Sequence, residues 1–233
     1  MKSHRRAATT AGVLFIVGTV AGVLSISPII DGPDYLLNAA ANQYQVILGA
    51  LFQFVMAATY VSYAIVLYPI LRKYYEGLAI GFVGFRFIAG VFNIIGVISI
   101  LLLLNLSQEF VKAGAPGSSH FQTLGELIRA GRDLVNHVVM ILAQSLGGLM
   151  LYHVLYETKL VPRWLSGWGL VGTTLTIFAS LLVMFRLVGV ITPIYLVLNL
   201  PMALLEIVLA VWLIGKGFNP SVVASLGQNK ETR

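Results

Sequence analysis

Six long apolar stretches, separated by short polar segments, dominate the pattern of the chain. They cover residues of about 7–30, 45–71, 78–106, 133–156, 167–190 and 194–216. Each stretch is close to the ~20 residues that a helix needs to cross the hydrocarbon core of a bilayer. The pattern therefore predicts an all-α fold, a polytopic transmembrane bundle of six spanning helices within residues 1–218. A short cytoplasmic tail is predicted at 219–233.

The longest polar connection, about residues 107–132, contains a second helical pattern. After His120, apolar residues recur at the spacing of one helix face and stand opposite Glu126 and Arg129. The apolar positions are Phe121, Leu124, Leu127 and Ile128. This pattern predicts a short amphipathic helix in the loop, which either lies on the outer membrane surface or extends the fourth spanning helix.

Composition supports a membrane protein. Of the 233 residues, 58% are hydrophobic and 10% are charged, whereas a soluble domain is roughly half apolar and a quarter charged. A soluble fold of this size could not bury so much apolar surface, so lipid must cover the remainder. The first apolar run is too long for the core of a signal peptide, and we interpret it as a retained spanning helix.

The distribution of charge predicts the orientation. The net charge is +6, but basic residues in a membrane protein mark the cytoplasmic side, so no nucleic-acid partner is expected. With the amino terminus inside, ten basic residues fall on the inner side and four on the outer side, which predicts that both termini are cytoplasmic. The inner ones are Lys2, Arg5, Arg6, Arg72, Lys73, Lys159, Arg163, Lys216, Lys230 and Arg233, and the outer ones are Lys112, Arg129, Arg132 and Arg186.

Two ionisable residues lie inside predicted spans. Arg86 belongs to the third span and Glu206 to the sixth, and both lie roughly 12–15 Å from the inner boundary at ~1.5 Å per residue. Charges inside the hydrocarbon are costly unless they are paired or hydrated. The sequence therefore predicts that Arg86 and Glu206 contact each other, either as a structural clamp that fixes helix register or as the polar floor of a ligand site.

Two asparagines extend this hypothesis. Asn93 follows Arg86 by seven residues and Asn199 precedes Glu206 by seven, so each shares a helix face with its charged neighbour. If the third and sixth spans pack antiparallel, the asparagines meet at one level, about 10 Å further out. The pattern thus predicts a contact between these two spans with two polar rungs.

Other intramembrane polar residues are weaker candidates for the same site. Gln53, Asn136, His137 and Gln144 lie in the second and fourth spans. They either line the cavity from its outer side or bond to a neighbouring helix. No metal or cofactor is expected: the chain has no cysteine, the spacing of its histidines does not suit a haem or a zinc site, and hydrolase and nucleotide-binding motifs are missing.

Several stretches resemble the bacterial membrane family known as domain of unknown function 4386. They are NQYQVILGA (42–50), GFVGFR (81–86), LSQEFVKAGAP (106–116), KLVPRWLSGWG (159–169), LNLP (198–201) with Glu206, and WLIGKGFN (212–219). The resemblance implies a six-helix protein of the bacterial plasma membrane without an established activity. In that family a glutamate follows the arginine that matches Arg86 by three residues. Here the position is Ala89, which leaves Glu206 as the predicted partner of Arg86.

Three classes of function remain open. The first is a protein that binds or carries a small amphipathic molecule in a cavity formed by Arg86, Asn93, Asn199 and Glu206. The second is a structural or regulatory membrane component that acts through partner proteins. The third is an intramembrane enzyme that uses Glu206 as acid or base. Membrane lipids are the other expected partners, and the sequence does not indicate an oligomeric state.

Overall fold

The computed structural model describes residues 2–115, 120–190 and 192–228, and within these residues all the regular structure is helical. Six of the described helical segments are long and apolar enough to cross a membrane. Named in chain order with the shorter helices between them, the helices are α1 (Lys2–Leu24), α2 (Pro28–Asp31), α3 (Tyr35–Ala41), α4 (Gln43–Leu71), α5 (Glu76–Lys112), α6 (His120–Leu134), α7 (Met140–Thr158), α8 (Arg163–Met184), α9 (Pro193–Gly215) and α10 (Pro220–Gln228). The predicted all-α bundle with six spanning segments is confirmed.

The amphipathic segment of the long loop is α6. A π-helical turn, Val135–Val139, joins it to α7 without a break, so that residues 120–158 form one helix. The second of the two predicted alternatives, an extension of the fourth span, is therefore correct.

Helix ends differ from the sequence pattern at several places. The first span ends at Leu24, because Ser25, Ser27 and Pro28 begin a turn, although apolar residues continue to about 30. The fifth ends at Met184, before the predicted limit of about 190. Beyond the sixth span, the segment predicted as a tail includes helix α10. Its Val223 is buried in the core together with Phe218.

The spanning helices form a closed ring. Each packs against its neighbour along the chain, and α9 returns to pack against α1. Short connections favour this arrangement because they bring consecutive antiparallel helices side by side. Helices α5 and α9 consequently lie on opposite sides of the ring, and the predicted packing of the third span against the sixth is wrong.

The exposed and the buried side chains of the ring differ in polarity. Large apolar side chains such as Phe54, Ile80 and Val171 are about half exposed along the spans. This exterior suits the hydrocarbon of a bilayer, and the chain is a multi-pass membrane protein. Polar and ionisable side chains are instead among those buried inside, including Gln53, Arg86 and Asn93.

The two ends of the ring are built differently. The end that carries the start of α1, the connections α4–α5 and α7–α8, and α10 is termed the terminal face. The end that carries α2, α3, α6 and the connection α8–α9 is termed the loop face. Near the terminal face an aromatic and aliphatic cluster fills the interior, with Phe15 packed on Tyr63 at 4.7 Å and Tyr63 on Phe82 at 5.9 Å between ring centroids. The interior is therefore closed towards the terminal face.

Candidate functional site

A cavity of about 180 Å³ lies inside the ring at the middle of the spans. Residues from α5, α7, α8 and α9 line it, and among them are four that the sequence predicts: Arg86, Gln144, Asn199 and Glu206. Ser145, Thr173 and Thr176 add hydroxyl groups to the same wall. The ring thus brings together, around one space, polar residues that are up to 120 positions apart in the chain.

Arg86 is the most deeply buried charged residue in the described part of the chain, with a relative exposure of 1%. Its guanidinium carbon lies 5.6 Å from the ring centroid of Tyr60, 5.8 Å from that of Tyr63 and 5.7 Å from that of Phe82. Among the described residues, none accepts a hydrogen bond from its Nε, Nη1 or Nη2. Cation–π attraction stabilises the charge by ~2 kcal/mol where it is desolvated, but it leaves five N–H donors without an acceptor.

Glu206, on α9, lines the same cavity. Its Oε2 accepts a hydrogen bond from the Tyr60 hydroxyl at 3.4 Å. The ion pairs of the described residues do not include Arg86 with Glu206, so the predicted direct contact is not formed. Tyr60 contacts both groups instead, with its hydroxyl on the carboxylate and its ring beside the guanidinium.

The predicted meeting of the two asparagines is also wrong. The Nδ2 of Asn199 donates to the carbonyl oxygen of Tyr195 on its own helix at 2.8 Å. Asn93 is 2% exposed, and its Oδ1 has no hydrogen-bond partner among the described residues. The reason is the ring, which holds α5 and α9 apart, so that the two amides border the interior without touching.

A second cavity, of about 470 Å³, continues from the first towards the loop face. Asn199 and Ile141 line both cavities, which therefore adjoin. The predicted residues Gln53, Asn93 and His137 line this outer cavity. Its apolar walls include Ile26, Met56, Ile100, Met140 and Leu196.

Gln53 forms a polar junction between three helices at this level. Its Nε2 donates to the backbone oxygen of Asn93 at 3.0 Å and to Oδ1 of Asn136 at 3.1 Å. Gly96 leaves the space for this junction, since a Cβ at that position would collide with both Gln53 Nε2 and Asn136 Oδ1. The glycine thus permits the close approach of the two amide groups, which the sequence pattern alone does not reveal.

His137 lies in the π-helical turn between α6 and α7. Its Nδ1 is 3.0 Å from the Tyr195 hydroxyl, and its backbone oxygen accepts a hydrogen bond from Ser180 at 3.0 Å. A π-helical turn displaces the i−4 hydrogen-bond pattern and is frequent at functional sites. This turn connects α7 to both α8 and α9 at the wall of the outer cavity.

Charged residues border the outer cavity at the loop face. The Nη2 of Arg132 lies 2.5 Å from Oδ1 of Asp31 and 2.9 Å from Oδ1 of Asp133, and the arginine side chain is largely buried. Arg132 and Asp133 are adjacent in the chain, so this pair is local. Asp31, at the end of α2, joins that pair across the connection between the first two spans. Arg129 donates to the Asp31 carbonyl oxygen at 2.7 Å and holds the same segment.

Sequence reasoning missed the buried tyrosines around Arg86. Tyr63 and Tyr152 are fully buried beside Arg86, and their hydroxyls have no hydrogen-bond partner among the described residues. Tyr152 stands near the end of its span, where an interfacial position is the usual expectation. Tyr60 and Tyr63 lie further inside the second span. Because they are three residues apart, they share one helix face, and this spacing was the signal that could have identified them.

Comparison with known proteins gives one match. The family model described as domain of unknown function (DUF4386) matches residues 10–217, a range that includes most of the first span and all of the other five. No curated protein and no solved structure matches the chain.

Proposed function

The chain belongs to the family described as domain of unknown function (DUF4386), and because that description names no activity, we propose a function from the site itself. The protein binds or carries a small amphipathic molecule in the joined cavities. The polar end of this molecule is anionic or bears a carbonyl oxygen, and it contacts Arg86. The apolar remainder occupies the outer cavity.

The observation that carries the proposal is the state of the Arg86 side chain. A buried charge normally persists only where it is paired or hydrogen-bonded, because its desolvation costs several kcal/mol. Here the guanidinium is buried among aromatic rings and none of its nitrogens has an acceptor in the described protein. A planar fork of N–H donors matches a carboxylate, a phosphate or a carbonyl oxygen.

The two cavities suit the two parts of an amphipathic ligand. The inner one, about 180 Å³, has room for a small polar group beside Arg86 and the hydroxyls of Thr173 and Thr176. The outer one, about 470 Å³, falls in the range of ~300–1,000 Å³ that is usual for ligand pockets. Its wall contains Met56 and Met140, and methionine adapts to irregular apolar ligands.

The proposed route of entry is the loop face. The outer cavity reaches Asp31 and Arg132 there, whereas the cluster around Phe15, Tyr63 and Phe82 fills the interior towards the terminal face. A carrier would have to open this cluster during transport, whereas a protein that only binds its ligand would not.

Native mass spectrometry of the protein purified with its native lipids tests the proposal. We expect a small-molecule mass to be retained by the wild type and by Arg72→Gln, an exposed arginine on the terminal face. We expect Arg86→Gln to lose it and Arg86→Lys to retain less, because lysine keeps the charge without the fork. If Arg86→Gln remains folded and retains the same masses as the wild type, the proposal is wrong and a structural role for the arginine is favoured.

A second measurement identifies the ligand class. A long-chain carboxylic acid with a fluorescent polyene tail is added to the protein in detergent solution, and its binding is compared with that of its methyl ester. Preference for the acid, lost in Arg86→Gln, would indicate recognition of an anion. Equal binding of acid and ester would indicate recognition of a carbonyl oxygen.

We also propose that the terminal face is cytoplasmic and that the protein resides in a bacterial plasma membrane. The excess of basic residues on this face supports the orientation, by the positive-inside tendency. Fusion of the full chain to a carboxyl-terminal green fluorescent protein should be fluorescent, and fusion to alkaline phosphatase should be inactive. The reverse pattern would contradict the proposed orientation.

A further inference from the structure

A groove outside the two cavities lies on the terminal face. Its volume is about 480 Å³, and it runs between the α7–α8 connection and the end of α9. Three exposed basic side chains border it, Lys159, Arg163 and Lys216. We term it the basic groove. Its floor and walls include apolar residues, among them Val161, Trp212 and Phe218.

Backbone contacts hold the two walls of the basic groove together. The Asn219 N–H donates to the carbonyl oxygen of Leu160 at 2.9 Å, which ties the segment after α9 to the α7–α8 connection. Arg5 donates to the carbonyl oxygens of Ile214 and Gly215 at 2.7 and 2.9 Å and so caps the end of α9. The groove is therefore a fixed part of the fold, and the cation Arg5 is already engaged beside it.

The three cations of the basic groove have no acidic partner in the described part of the chain. All ion pairs between described residues involve Lys112 or Arg132, which lie outside the groove, and no acidic residue lines the groove. The Nζ of Lys216 lies 4.9 Å from the Trp212 ring centroid, and the guanidinium carbon of Arg163 lies 5.1 Å from that of Tyr156. These ring contacts orient the cations without neutralising them.

We propose that the basic groove binds the headgroup of an anionic phospholipid. The phosphate lies among Lys159, Arg163 and Lys216, and the glycerol and upper acyl chain pack against Trp212 and Phe218. Three observations converge on this occupant: unneutralised positive charge, an apolar wall directly beside it, and a tryptophan, the residue that marks the headgroup level of a bilayer. Basic pockets between spanning helices recognise anionic lipid headgroups by this chemistry.

The chain supplies its own reporter for a test. It contains three tryptophans; Trp212 lines the groove, and the Trp164 ring lies 6.4 Å from that of Trp212 and 6.5 Å from that of Trp168. Quenching of intrinsic fluorescence by brominated phospholipid therefore reports on this site. The full chain is reconstituted in vesicles of phosphatidylcholine with increasing fractions of brominated phosphatidylglycerol, or of brominated phosphatidylcholine as the zwitterionic reference.

Two double variants separate a specific site from general surface attraction. Lys159→Gln with Lys216→Gln removes two charges from the groove, and Arg72→Gln with Lys73→Gln removes two charges elsewhere on the same face. The pairs are matched, since Arg72 also lies over an aromatic ring, that of Tyr68 at 5.7 Å.

We expect the groove variant to lose the preference for the anionic lipid by about tenfold or more, and the control to change by less than twofold. Lys159→Arg with Lys216→Arg should retain the preference, which shows that charge rather than folding is responsible. An equal loss in both glutamine variants, or no preference in the wild type, would overturn the proposal. Complete displacement of the brominated lipid by inorganic phosphate would assign the groove to a soluble anion instead.

Discussion

Replacement of Gly96 by alanine tests the polar junction inside the ring. The new Cβ would collide with Gln53 Nε2 and Asn136 Oδ1 and so separate the groups that join α4, α5 and the π-helical turn. Gly84→Ala is the matched control, because Gly84 lies on the same helix and a methyl group added there would meet open space.

The expected magnitude follows from three contributions. Alanine stabilises a helix over glycine by ~1 kcal/mol at either site. At Gly96 the loss of the two Gln53 hydrogen bonds costs about 1–2 kcal/mol, and insertion of a methyl group into filled space costs about 1–3 kcal/mol. The free energy of unfolding should therefore fall by about 1–4 kcal/mol in Gly96→Ala and rise by up to ~1 kcal/mol in Gly84→Ala.

The assay is reversible unfolding in mixed micelles with increasing dodecyl sulfate, followed by far-ultraviolet circular dichroism. Adding Asn136→Ala to Gly96→Ala removes one of the two atoms that the methyl group would meet, so the double variant should be more stable than the sum of the two single effects. If Gly96→Ala is as stable as Gly84→Ala, the junction does not determine the packing of these helices.

Two further predictions concern single contacts, each with a matched control. Tyr60→Phe removes the hydroxyl that donates to the Glu206 carboxylate and should lower the free energy of unfolding by about 1 kcal/mol in the same micelle assay. Tyr63→Phe removes a hydroxyl without a partner among the described residues and should lower the free energy of unfolding less. The opposite order would contradict the contact between Tyr60 and Glu206. Asp31→Asn weakens the ion pair with Arg132 and should increase cleavage of the loop face by an added protease. Asp34 is an exposed neighbour outside the ion pairs of the described chain, so Asp34→Asn should leave the cleavage rate unchanged. Equal cleavage of the two variants would refute the stabilising role of Asp31.

Much of the fold could be predicted because, in a bilayer, the secondary structure of a segment depends mainly on the sequence of that segment. Every backbone N–H and C=O in hydrocarbon must be paired within its own helix, so length and hydropathy were sufficient for the six spans. The amphipathic pattern after His120 was likewise local, and it did predict α6. Helix ends were less accurate, because Ile26, Ile29 and Ile30 continue the apolar pattern while Pro28 begins a new helix.

The site was predicted in composition but not in its contacts. Arg86, Gln144, Asn199 and Glu206 border one cavity, as expected from the cost of exposing polar groups to lipid. The direct pairing of Arg86 with Glu206, however, assumed a helix contact that the ring does not form. Spacing along one helix predicts which residues share its face, but not which helix that face meets.

By itself, the sequence determined that this chain has six membrane-spanning helices, that its buried charges lie inside the bundle, and which family it belongs to. Only the tertiary structure decided that α5 and α9 stand across a ring and that Tyr60 lies between the two charges. It also decided that the cavities adjoin at Asn199 and that the end of α9 meets the α7–α8 connection at the basic groove. The physical reason is that hydropathy acts on each segment separately. The choice of neighbours depends instead on close packing between distant segments, and in lipid many apolar helix faces are nearly equivalent for that purpose.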